Sequence, residues 1–178
     1  VQVTSVLDGS DGNRSTLSRD LDRPLRGLRR IVPRAGAELA AGPMRIAVLW
    51  PPQPAPAVAG DPNDRAVVLL VRAFGRSVLL TADAASEVLG RLSLPPVDVL
   101  KVAHHGSADP GLPDLLRRLR PRAALIEVGA HNRYGHPTRQ ALRALAAARV
   151  PVWRTDRDGT VSLELSREGV RVDRRGAP

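Results

Sequence analysis

The chain has no cysteine. That excludes disulfides and thiolate metal ligands, and it leaves the redox compartment open, because a cysteine-free chain suits either side of a membrane. Aromatic residues make up only 2% of the 178 positions, so a core has to be built from Leu, Val, Ile and Ala, and stacking on bases has few platforms. No apolar run approaches the roughly 20 residues of a spanning helix. The N-terminus lacks the charged-then-apolar pattern of a signal peptide. Lysine is nearly absent too: Lys101 is the only one, and all other basic charge is arginine.

What is present is a globular composition with a basic excess. Hydrophobic residues reach 43%, and the length predicts one domain, residues 1–178, able to bury a real core. The net charge of +9 comes from 27 basic against 18 acidic residues. A guanidinium fork matches phosphate oxygens, so such a surface suits a phosphate backbone without base readout. Arginine, alanine and proline abundance also fits a compositional bias with no partner behind it. Sixteen prolines and fifteen glycines predict many loops, concentrated near Trp50–Gly60, where Pro-Pro-Gln-Pro-Ala-Pro reads as a stiff connector.

Periodicity predicts strands at Val1–Val6, Arg45–Trp50, Ala66–Phe74, Ser77–Ala82 and Val97–Ala103, with a tight hairpin at Gly75-Arg76. Later strands are expected at Ala123–Val128, Val150–Arg154, Gly159–Leu165 and Gly169–Val172. Leu17–Ile31 has near-helical apolar spacing interrupted by Pro24, with a basic face read as solvated. Helices are expected at Ala84–Leu92 with Asp83 as N-cap, at Pro113–Leu119 and at Thr138–Ala147. Thr155–Gly159 reads as a β-turn that makes Asp156 and Asp158 structural. Alternating strands and helices argue for a layered α/β domain with a mixed sheet.

Chemistry gathers at strand ends. Asp83 closes one apolar run, His104 and His105 close the next before Gly106-Ser107, and His136 follows the one after. Strand ends that project Asp, His and His to one rim are a common way to build a metal or phosphate site. Any one of them alone is as readily a satisfied loop residue. Adjacent strand residues point to opposite sides, so one of His104 and His105 is expected to face the site, with His104 the choice. Ser107 could bind a phosphate oxygen or be an ordinary turn serine. Tyr134, the sole tyrosine, could touch substrate or pack into the core. His131 is expected to be exposed.

Taken in order, Thr81-Ala82-Asp83, Leu100-Lys101-Val102-Ala103-His104-His105-Gly106-Ser107, Asn132-Arg133-Tyr134-Gly135-His136-Pro137 and Arg154-Thr155-Asp156 resemble the metallo-β-lactamase-like domain of ComEC-type competence proteins. Val48-Leu49-Trp50-Pro51-Pro52 and Asn63-Asp64-Arg65 join the match, which runs from about Ala35 to Leu165. The family has Gly where this chain has Ala82, and Ser near Ala66. The His-x-His-x-Asp-His motif that supplies most metal ligands in that fold is absent from the chain.

The resemblance implies the C-terminal portion of an αββα sandwich. It implies a metal-dependent nuclease in a membrane protein of DNA uptake, with this portion soluble and extracytoplasmic. Asp83 and His136 would be metal ligands, His104 and His105 catalytic, and Asn63, Ser107 and Tyr134 substrate-binding. Two divalent ions, Mn or Zn, would sit in the complete domain, since imidazole does not choose between them. DNA, the upstream half and the membrane channel part would be partners, and this portion alone would be inactive. Two alternatives stand: a non-catalytic nucleic-acid-binding or scaffold module that kept the fold, and a small-molecule metallo-hydrolase.

Overall fold

The apolar runs of the middle of the chain become the strands of one mixed sheet. A computed structural model describes residues 3–7, 25–53 and 61–176. Seven strands lie in sequence order: β3 (Glu38–Ala41), β4 (Met44–Trp50), β5 (Val68–Ala73), β6 (Arg76–Leu80), β7 (Val99–Lys101), β8 (Ala123–Ile126) and β9 (Val152–Arg154). β3 to β6 pair antiparallel, and β6 to β9 pair parallel. The antiparallel part needs only tight turns, whereas each parallel step needs a crossover. The crossovers carry helices α1 (Ser86–Gly90), α2 (Leu112–Leu119) and α3 (Arg139–Ala147).

These helices cover one face of the sheet. Leu115, Leu116 and Leu119 of α2 and Leu145 of α3 join Leu79 and Leu100 of the sheet in the main core. Fully burying each such leucine contributes roughly 1.5–3 kcal/mol. The other face is partly covered by the antiparallel pair β10 (Thr160–Leu165) and β11 (Val170–Arg175). Leu163, Leu165, Val170 and Val172 of that pair pack on Val78, Val99 and Ala123. A single helical turn, α4 (Thr155–Asp158), links it to β9.

Sequence and structure part at four places. Arg29–Ile31 is a strand, β2, paired parallel with β1 (Ser5–Leu7), because Gly27 at φ +86 cannot continue a helix into it. The rest of the expected Leu17–Ile31 helix falls largely outside the described residues, as do residues 1–2 of the first strand and 54–60 of the proline-rich connector. β3 carried no periodic signal in its four residues. Thr155–Asp158 is a helical turn rather than a β-turn. Asp158 there is buried and accepts from the Arg154 amide at 2.8 Å and from the Arg157 and Arg174 guanidinium groups. Finally, the N-cap of α1 is Ala85, not Asp83. Its first amide, on Ser86, is taken at 2.9 Å by the Asp109 carboxylate, which reaches over from the next crossover.

Candidate functional site

Parallel pairing puts the carboxyl ends of β6, β7 and β8 at one edge, where ligands of open α/β sheets usually bind. Thr81, fully buried, donates its hydroxyl to the Lys101 carbonyl at 2.7 Å and locks the end of β6 to the end of β7. Lys101 then donates to the Ala82 carbonyl at 3.0 Å. Burial pushes the Lys101 ammonium below its ordinary value, against the pull of Asp83 and Glu127. Ala82 sits at φ +47, which aims Asp83 out of the strand direction.

His104 and His105 are not strand residues. They lie in a 3-10 turn, Ala103–Gly106, with φ of +47 and +54, followed by Gly106 at +79. Strand alternation therefore does not govern them, and their ring centroids lie 6.4 Å apart. His105 Nδ1 lies 2.6 Å from the Glu127 carbonyl. A carbonyl only accepts, so Nδ1 carries a proton, and in the neutral ring Nε2 presents the lone pair. That Nε2 lies 3.7 Å from Asp83 Oδ1, beyond a direct hydrogen bond. His104 packs on His136 with ring centroids 5.7 Å apart.

The His136 loop is held by its own sequence. Asn132 accepts from the His136 amide at 3.0 Å and donates to its carbonyl at 2.7 Å. The Gly106 carbonyl accepts from the Thr138 amide at 2.8 Å and its hydroxyl at 3.1 Å. These bonds bring the loop down on the histidine turn. Burial, then the neighbouring His104 and His105, lowers the His136 pKa from its ordinary value, with Asp83 opposing. His136 Nδ1 is buried without a partner. Tyr134 stacks on His136 at 6.0 Å and is 82% exposed, which removes core packing as its role.

His105, Glu127, Asn132, Tyr134, His136 and Thr155 line a cleft of about 500 Å³ at this edge. Among the sequence candidates, Asp83, His104, His105, His136 and Tyr134 are thus gathered in one neighbourhood. Ser107 adjoins it, its amide donating to the His104 carbonyl at 2.9 Å. Asn63 does not line the cleft; it lies in the 3-10 turn Pro62–Arg65, its amide capped by Asp61 at 2.9 Å. His131 is exposed.

Three proteins are similar to this chain. ComE operon protein 3 of Bacillus subtilis (strain 168) is 35% identical over 122 residues, covering 66% of this chain and 15% of that protein. Competence protein ComA of Neisseria gonorrhoeae is 31% identical over 64% of this chain and 17% of its own length. Recombination protein 2 of Haemophilus influenzae is 31% identical over 62% and 14%. The chain is similar to competence proteins. It spans less than a fifth of the length of the curated relatives it matches, between 14% and 17%. No protein-family model matches it.

The donors suit Zn or Mn in kind, as imidazole nitrogens and a carboxylate. They fall short in number: among the described residues no three His, Asp or Glu side chains converge to hold an ion. These residues alone therefore do not fit a closed metal site. Sequence reasoning missed Glu127 altogether, and it gave no role to Lys101, Asn132 and Thr155, which it met only as members of the resembling motifs. Asn132 carried a local signal, its four-residue spacing from His136. Thr155 acts across the fold, its hydroxyl accepting from the Val128 amide at 2.7 Å and donating to the Val128 carbonyl at 2.8 Å.

Proposed function

We propose that the chain is part of a DNA-uptake protein and carries the C-terminal half of a metal-dependent phosphodiester hydrolase site of the metallo-β-lactamase-like kind. The observation that supports this best is the fixed tautomer of His105. Its Nδ1 is bound to the Glu127 carbonyl at 2.6 Å while its Nε2 faces Asp83 at 3.7 Å. A histidine whose far nitrogen is tied to a carbonyl is oriented and made more basic in the way metal-ligating histidines are. His136, with a buried unpartnered nitrogen, stands beside it across His104.

In this reading Asp83 and His105 lend two ligands to Mn or Zn, with His136 beside them, and the remaining ligands come from the rest of a longer protein. His104 orients His136 and the bound phosphate, and Ser107 and the exposed Tyr134 contact the DNA backbone. The similarity to competence proteins supports the DNA-uptake setting. In that setting the chain is a soluble, extracytoplasmic portion of a bacterial membrane protein. No helix among the described residues is long and apolar enough to cross a membrane.

Calorimetric titration of Zn and Mn into the chain tests the ligand assignment. Weak binding is expected, reduced further by Asp83→Ala and by His105→Ala, since a partial ligand set in an open rim holds metal poorly. Equal heats from the chain and both variants would refute the assignment.

A further inference from the structure

The sheet has a second edge with a composition of its own. The amino ends of β6 to β9 lie opposite the histidine cleft, and pairing places the turns of both hairpins at this same edge. Ala41 opposite Met44 closes one hairpin, and Ala73 opposite Arg76 closes the other. The tips expose the chain's only methionine and its only phenylalanine: Met44 is 39% exposed and Phe74 46%. Phe74 does so at φ +54, a conformation that bulky residues rarely adopt.

Arginines lie along the same edge. Arg45 and Arg72 face each other across β4 and β5, both exposed. Exposed Arg120 and Arg122 precede β8, and exposed Arg149 precedes β9. Acidic charge at this edge is sparse. Asp98 is withdrawn between Arg76 and Arg122, each at 3.9 Å, and it accepts from the Ser77 amide at 2.9 Å. Glu168 is exposed in the β10–β11 turn beside Arg167, whose carbonyl holds Arg76 at 3.2 Å.

We propose that this edge docks on an anionic lipid bilayer, with Met44 and Phe74 entering the acyl boundary and the arginines meeting the headgroup phosphates. Apolar residues projecting from a basic rim are the composition of an interfacial anchor. A nucleic-acid backbone would use the arginines and leave the two apolar tips without a role. Docked in this way, the histidine edge faces away from the bilayer and stays open to solution.

Sedimentation of the 178-residue chain with phosphatidylcholine vesicles, with and without phosphatidylglycerol, tests this. Binding is expected only with the anionic lipid. Arg72→Ala and Arg149→Ala should each lower partitioning about fivefold. Phe74→Asn should lower it about tenfold by removing the apolar wedge. Asn tolerates positive φ, so that variant should melt no lower than the parent chain, which separates lost docking from lost folding. Unchanged partitioning of Phe74→Asn, or no sedimentation with anionic vesicles, overturns the proposal. So does arginine-dependent binding to duplex DNA by a chain that ignores vesicles.

Discussion

Gly106→Ala should be costly because two independent constraints meet at that position. The residue sits at φ +79, where an added Cβ meets the Pro137 Cβ at 2.7 Å and the Pro137 Cα at 3.2 Å. Left-handed backbone costs a non-glycine residue roughly 1–2 kcal/mol, and overpacking at a tight contact costs roughly 1–3 kcal/mol more. The sum is about 2–5 kcal/mol, and the contact is with a proline ring that cannot swing aside. Gly135→Ala is the control: its φ is +70, but an added Cβ meets nothing within 4 Å. It should cost about 1–2 kcal/mol, the backbone part alone. At roughly 2–4 °C per kcal/mol for a chain of this size, thermal melting separates the two variants, and urea unfolding at matched slope confirms the difference. The larger loss should come with altered His104 and His136 ring signals in NMR, since the contact seats one loop on the other. Equal costs for the two substitutions would refute the close approach.

Ala82→Gly should stabilise the chain by about 1 kcal/mol in urea unfolding, because Ala82 adopts φ +47. Asp158→Ala should cost about 1–3 kcal/mol by leaving the Arg154 amide without its acceptor, while the exposed Arg157 and Arg174 guanidinium groups stay hydrated. The Asp158 pKa is held below its ordinary 3.8, first by the Arg157 hydrogen bond and then by the Arg154 amide. Its stabilisation is therefore complete above pH 3.8 and disappears as pH falls below that through the lowered folded value. An acid titration that does not distinguish Asp158→Asn from the parent chain would contradict this. Binding of the chain to short duplexes should be independent of sequence and fall steeply with salt, since arginine–phosphate contacts release counterions. A titration at two ionic strengths checks it.

Long apolar runs with β-branched content made most of the sheet legible. Met44–Trp50, Val68–Ala73 and Arg76–Leu80 fall within two residues of their expected bounds, as do helices Leu112–Leu119 and Arg139–Ala147. Short elements were not legible: Glu38–Ala41 earns its strand only from pairing with Met44–Trp50. The strand-end positions of Asp83, His104, His105 and His136 could be read, because chain punctuation fixes where an apolar run stops. Their mutual geometry could not. It depends on left-handed residues at 82, 104 and 105, none of them the glycine that normally signals such a bend. The partners of His105 come from Glu127 and from Asp83, contacts that no local window contains, whereas Asn132 lies only four residues from His136.

Cleavage of a labelled oligonucleotide with Mn or Zn, by this chain and by a version extended by fusing an upstream segment that carries a His-x-His-x-Asp-His motif, tests the central claim most directly. The account expects negligible turnover from the chain alone. The extended protein should show metal-dependent cleavage that Asp83→Ala abolishes. Equal metal-dependent turnover by the two, or an extended Asp83→Ala protein that cuts as fast as its parent, would contradict it.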